Sequence, residues 1–282
     1  MSIYTSFAVF GAGLVGVPIA RALHAQRVSV LVLTRPGSVS AVGQHLPPGI
    51  PLIEVDYGNS AAITQLLQEY AVQVVVSTIS AAAVPVQNQV ADAAKAAGVE
   101  LFAPSEFGIV TEGPGPRDVN HKSTVLDHLV SIRLPFARFY VGFFTEIIPA
   151  LTGFSVNGKI NIVGTGEMPC SFTASDDIAG FVAHVLTTLP RSELFNRTFR
   201  LQGDRLSLVE LAQLFKTEVQ YVDKVPGQMS EVWTRMHEAA ECGLASTGWN
   251  VFQWREGQEN AGSTNYLWEG HQWKSVKDFY RL

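Results

Sequence analysis

No aspartate or glutamate occurs before Glu54 in this 282-residue chain, although Arg21, Arg27 and Arg35 all lie in that stretch. The net charge is −5, so an acid-free opening in an acidic protein points to an anion held there, by chemistry a phosphate. Charge is scarce throughout, at 16% of residues against 47% hydrophobic ones, which excludes a mainly disordered chain. Two cysteines, Cys170 and Cys242, are too few for a disulfide framework and have no metal-ligand spacing. The seven histidines form no H-x-x-x-H pair, so no metal site is expected. No cluster of lysine and arginine exists, which argues against nucleic acid as a partner. No basic region precedes the first apolar run, so a signal peptide is not expected. Between Glu69 and Asp92 there is no charge at all, but Gln73, Pro85, Gln87, Asn88 and Gln89 interrupt the stretch. It reads as a buried strand, a loop and a helix start rather than a membrane span. A soluble, cytoplasmic protein without a membrane partner is expected.

What is present is a regular alternation. Apolar runs at 7–10, 28–33, 50–55, 72–76 and 99–103 read as buried strands. Helical spacing covers 17–26, 61–70 and 86–97, the last stopped by Gly98. A further helix at 120–133 and a strand at 136–141 follow. Continuous apolar strands alternating with helices indicate an α/β fold: a Rossmann-type, doubly wound parallel sheet covered on both faces. After Gly142 the pattern loosens, with Gly153, Gly158, Gly164 and Gly166 breaking it up. Helices remain legible at 175–189 and from the capping box at Ser207, and the tail from Trp233 holds all five tryptophans. The expected organisation is a nucleotide-binding domain over 1–152 and a smaller C-terminal substrate-binding lobe over 153–282. A strand near 195–201 is expected to return to the sheet.

Gly11-Ala12-Gly13-Leu14-Val15-Gly16 is a G-x-G-x-x-G lying directly between a buried strand and a helix. That context is what a dinucleotide fingerprint requires. Its first glycine permits the turn, the second lets the backbone approach a pyrophosphate, and the third lets helix and strand pack closely. The second strand ends Leu33-Thr34-Arg35-Pro36-Gly37-Ser38, with no acid within reach to bind a ribose 2′-hydroxyl. Arg35 suits a 2′-phosphate, with Thr34 and Ser38 as hydrogen-bond donors, so NADP(H) is the expected cofactor. Asp56 follows the third strand and reads equally as a contact for the adenine amino group or as a cap for the next helix.

Lys122 shares a helix face with Val125, Leu129 and Ile132, the apolar side. A lysine there either does proton transfer with a depressed pKa or snorkels at the helix start. The tyrosine-x-x-x-lysine pair of ordinary short-chain dehydrogenases is absent, because Asp118 stands four residues before Lys122.

Pro104-Ser105-Glu106-Phe107-Gly108, following Leu101-Phe102-Ala103 and a helix ending Ala-Ala-Lys-Ala-Ala-Gly-Val, resembles the signature of isoflavone-reductase-like proteins. These are NmrA-like, atypical short-chain dehydrogenases. The spacing from Lys122 to Leu134-Pro135-Phe136 agrees with that family, and the tail segments Asn265–Trp268 and Gly270–Trp273 resemble those of fungal-type members. The resemblance implies that Lys122 is the catalytic lysine, holding the nicotinamide ribose and acting as base. It also implies that Phe107 lies beside the cofactor and that Phe143 and Phe144 help wall an aromatic pocket. Two departures stand out: Phe10 replaces the first glycine of the family's G-x-x-G-x-x-G, and Gly142 replaces an asparagine before the paired aromatics.

The implied activity is transfer of hydride from NADPH to a small aromatic or polyketide-like metabolite, at a benzylic, enone or ketone carbon. The alternative is an NmrA-like sensor that binds NADP without turnover. Lys122 discriminates, since the sensor branch generally lacks it. A monomer or homodimer is expected.

Overall fold

A computed structural model describes residues 3–38, 43–80, 83, 85–112, 122–256 and 260–282. Five strands, β1 (Ser6–Phe10), β2 (Ser29–Thr34), β3 (Leu52–Glu54), β4 (Val74–Ser77) and β5 (Leu101–Ala103), form one sheet in the order β3-β2-β1-β4-β5. Every pairing in it is parallel. The crossovers include helices α1 (Gly16–Ala25), α2 (Ser60–Glu69) and α3 (Val86–Ala97). Strands in such a sheet are apolar on both sides because helices cover both faces. Phe7 through Phe10 and Val74 through Val76 are accordingly fully buried. This is the doubly wound arrangement expected from the alternation.

Boundaries follow local chemistry. Asn59 accepts from the Ala62 backbone N–H at 3.1 Å and caps α2. Helix α3 ends at Gly98, whose φ of +85° is the left-handed conformation that glycine adopts without penalty. Of the charge-free stretch after Glu69, the described residues hold β4 and the start of α3, as expected. Beyond β5 come α4 (Ser123–Ser131) and β6 (Ala137–Tyr140), and Phe136, just before β6, bridges to Phe102. The strand expected near 195–201 is β10 (Arg197–Arg200), and it pairs with β6. Between them lies α5 (Ser175–Thr188).

The chain forms two compact units, and neither is continuous in sequence. The first comprises Met1–Phe107, Arg117–Phe139 and Ile178–Phe199; the second comprises Gly108–Pro116, Tyr140–Asp177 and Arg200–Leu282. The expected single division at 152 matches no edge of either unit, because the second unit takes chain from before it and the first takes back Ile178–Phe199, most of α5 and of β10.

The second unit contains a three-stranded sheet of β7 (Phe143–Phe144), β9 (Cys170–Thr173) and β11 (Asp204–Leu206), in the order β11-β9-β7. Strand β8 (Ile160–Ile162) pairs in parallel with β12 (Val219–Tyr221). The expected capping box is present: Ser207 accepts from the Glu210 N–H, and the Glu210 carboxylate accepts from the Ser207 N–H, opening α6 (Leu208–Leu214). Asp177, in the first turn of α5, is buried and accepts from the Lys274 backbone N–H at 2.8 Å, with His271 at 3.1 Å.

Candidate functional site

Strands β1 and β4 lie side by side but feed crossovers that run to opposite sides of the sheet, so a crevice opens between their C-terminal ends. Ligands bind open α/β sheets at such a switch point. Gly11 follows β1 there, and Thr78 follows β4. The Thr78 hydroxyl donates to the carbonyls of Phe10 at 2.9 Å and Gly11 at 3.0 Å, fixing the turn. Gly11 has a φ of +91°, and its N–H donates to the Leu33 carbonyl at 2.9 Å. A Cβ on Gly16 would fall 2.2 Å from the Gly11 carbonyl oxygen, so only glycine lets α1 start so close to β1. Around Gly13, in contrast, nothing lies within 4 Å of where a Cβ would stand. The helix start carries no side-chain cap and no acidic residue in its first turn. That combination of open space at Gly13 and an uncapped helix end fits an anionic group.

A cleft of about 230 Å³ lies over this turn in the first unit, lined by Gly11, Ala12, Gly13, Thr34, Arg35, Ser38, Tyr57, Thr78, Ile79, Ser80 and Ala83. Five of the residues expected from sequence thus converge on one space: Gly11, Gly13, Thr34, Arg35 and Ser38. Thr34 is buried and Arg35 is exposed. Leu14 is exposed and Val15 half-buried at the head of α1, while Gly16 packs beneath the turn.

Tyr57, Thr78 and Ser80 escaped the sequence reading. Tyr57 is buried and donates through its hydroxyl to the Leu33 carbonyl at 2.8 Å, the same carbonyl that receives the Gly11 N–H. Burial pushes this hydroxyl's pKa up to about 12, opposed by the Gly11 N–H and by the charge of Arg35. The Tyr57 ring meets Phe10 with centroids 5.6 Å apart. Phe10, fully buried in the core, therefore fills space beside Tyr57 where the family's usual loop has glycine.

Two expectations are corrected here. Asp56 does not cap α2; that role belongs to Asn59, while the exposed Asp56 carboxylate accepts from the Gly58 N–H at 2.9 Å. An acid does reach the end of β2. Glu54, opposite Thr34 in the strand register, accepts from the Gly37 N–H at 2.8 Å. The carboxylate comes from the neighbouring strand, so it was invisible in the Leu33–Ser38 segment.

Lys122 is half-buried immediately before α4, with Val125 and Leu129 of the same face fully in the core. Withdrawal from water holds its pKa below the ordinary 10.5, and the buried Glu106 carboxylate opposes that shift. Glu106 belongs to the segment after β5, where the Ser105 hydroxyl donates to the Ile79 carbonyl at 2.8 Å and its N–H donates to the Gln87 side-chain oxygen at 2.9 Å. Phe107 is buried and stacked on Phe139 at 5.6 Å, which in turn stacks on Phe199 at 4.9 Å. It is part of an aromatic core column.

In the second unit Phe143 is buried against Phe172 at 5.9 Å, and Phe144 is half-buried. Gly142 precedes them with a φ of +69°, and a Cβ there would lie 2.2 Å from the Ser171 carbonyl oxygen. Close backbone contact explains glycine at this departure from the family pattern. Among the described residues no group of histidine, cysteine, aspartate or glutamate could hold a metal ion. Among them, too, no helix is long and apolar enough to cross a membrane.

The model of the NmrA-like family matches residues 5–234. The chain belongs to the NmrA-like family. Among its relatives, pinoresinol reductase 1 of Arabidopsis thaliana is 27% identical over 241 residues, covering 75% of this chain and 74% of that one. This NmrA-like chain also superposes on leucoanthocyanidin reductase of Vitis vinifera, solved as a complex with NADPH, with a TM-score of 0.78. The match is 20% identical and covers 98% of each chain. An NADPH-dependent quinone oxidoreductase of Escherichia coli gives a TM-score of 0.72 at 18% identity, again over 98% of both chains. At these identities the superpositions establish the fold.

Proposed function

We propose that the protein is an NADP-dependent oxidoreductase that reduces a small aromatic or polyketide-like metabolite at a benzylic, enone or ketone carbon. One observation carries this reading: Gly11, Gly13, Thr34, Arg35 and Ser38 line a single cleft at the switch point of a parallel sheet. The names of its relatives, reductases of pinoresinol and leucoanthocyanidin and an NADPH-dependent quinone oxidoreductase, support the reaction class.

The cofactor, when bound, supplies the hydride. The backbone at Gly11–Gly13 and the start of α1 receive the diphosphate, because N–H groups and a positive helix end favour anions. Leu14 and Val15, between the second and third glycines, complete that loop. Arg35 pairs with the 2′-phosphate, assisted by Thr34 and Ser38. Asp56 is assigned to the adenine side and Phe107 to the cofactor. Lys122 holds the nicotinamide ribose and moves a proton, a task suited to a lysine whose ammonium is already destabilised by burial. Phe143 and Phe144 are assigned to the aromatic substrate, with Phe144 the less buried ring.

The test is NADPH oxidation by the purified protein against a panel of aromatic ketones, enones and benzylic ethers. Turnover with at least one class, lost in Lys122→Met while NADPH still binds, is the expected result. Binding of NADPH with no turnover across the panel would favour a sensor instead, and equal turnover in Lys122→Met would remove Lys122 from the chemistry.

A further inference from the structure

The turn that follows β2 meets both signs of charge. Arg35 lines the cleft together with Thr34 and Ser38. Directly opposite Thr34 in the register of β3 stands Glu54, whose Oε1 accepts from the Gly37 N–H at 2.8 Å. Gly37 has a φ of +84°, so the turn has a shape set by glycine and is held at its tip by that carboxylate. Glu54 is the first acid in the sequence, and the fold brings it to the turn that carries Arg35.

A carboxylate so placed has two consequences for a nucleotide. It repels the doubly ionised 2′-phosphate of NADPH, and it occupies a backbone N–H that a phosphate oxygen would otherwise accept. It does neither to the 2′-hydroxyl of NADH, which can donate a hydrogen bond to it. We propose that Glu54 is a specificity-determining residue that offsets Arg35, so that the cleft binds NADH as well as NADPH. This inference rests on the reading of the cleft as a nucleotide site.

The experiment is direct binding of NADPH and NADH, followed by nucleotide fluorescence, to the wild-type protein and to Glu54→Gln. Glutamine keeps a side-chain oxygen for the Gly37 N–H and removes the charge. Glu54 is exposed, so the variant is expected to fold, which its thermal midpoint checks. The NADPH-over-NADH affinity ratio should rise by about threefold or more at low salt, the scale of one charge interaction through solvent, and the gain should shrink as salt rises. A role confined to shaping the turn would change both affinities together and leave the ratio and its salt dependence unmoved. An unchanged ratio, or one moved toward NADH, overturns the assignment of Glu54 while leaving the nucleotide site intact. Failure of both nucleotides to bind the wild-type protein overturns the site itself, and Glu54 with it.

Discussion

Gly16 sits so close to Gly11 that a single added carbon would penetrate the Gly11 carbonyl, at 2.2 Å, and the Thr78 hydroxyl, at 2.5 Å. Gly16→Ala should therefore destabilise the fold by about 1–3 kcal/mol, the usual cost of overpacking. Gly13→Ala meets no protein atom and should leave the thermal midpoint nearly unchanged while weakening NADPH binding by about tenfold or more, since the second glycine is where a diphosphate approaches the backbone. Thermal melts and nucleotide titrations of the two variants separate packing from ligand contact.

Lys122→Met should lower turnover by about 10²–10⁴-fold, the range of a lost proton-transfer group. The same desolvation that lowers the lysine's pKa keeps it neutral at a lower pH than an exposed lysine. The acid limb of the pH–rate profile should consequently lie below 10.5, where an ordinary lysine titrates. Steady-state rates across pH, with NADPH affinity measured separately, check both statements.

His237 is fully buried in the second unit, its Nδ1 accepting from the Val163 N–H at 3.1 Å and its Nε2 donating to the Leu151 carbonyl at 3.0 Å. Burial lowers its pKa from 6.5 to about 4. The unfolded chain therefore takes up the proton first as pH falls. Stability is fully present above 6.5 and is lost progressively as pH falls toward about 4, at roughly 1.4 kcal/mol per pH unit from this residue. His237→Asn should flatten that part of the stability–pH curve, as measured by denaturant midpoints between those limits.

Tyr57→Phe removes the hydroxyl that shares the Leu33 carbonyl with the Gly11 N–H. The buried carbonyl keeps one partner, so stability should fall by only about 1 kcal/mol. NADPH affinity should fall more than stability alone explains, because the glycine turn loses a support. Parallel melts and titrations compare the two effects.

The first unit was largely legible because local signals agree there. The apolar run at Phe7–Phe10, the glycines after it and the Gly98 helix boundary all act within a few residues. Arg35, Thr34 and Ser38 were readable for the same reason: they follow one strand. Tyr57, Thr78 and Glu54 were not, because Tyr57 and Thr78 reach the cleft, and Glu54 the turn beside it, from the ends of β3 and β4 and are brought in by sheet order. Applying the switch-point rule to the residue after β4 would have found Thr78. In the second unit, the resemblance assigned Phe143 and Phe144 to an aromatic pocket wall, but spacing could not show that Phe143 packs on Phe172 from a strand nearly thirty positions on.

The most direct test is the Kd of NADPH and NADH for the wild-type protein and for Arg35→Asp. The wild-type protein should bind NADPH, and Arg35→Asp should lower the NADPH/NADH affinity ratio by at least about tenfold, the effect of replacing a charge-assisted phosphate contact with a repulsive one. An unchanged ratio in Arg35→Asp, or no binding of either nucleotide to the wild-type protein, would contradict an NADP site in this cleft.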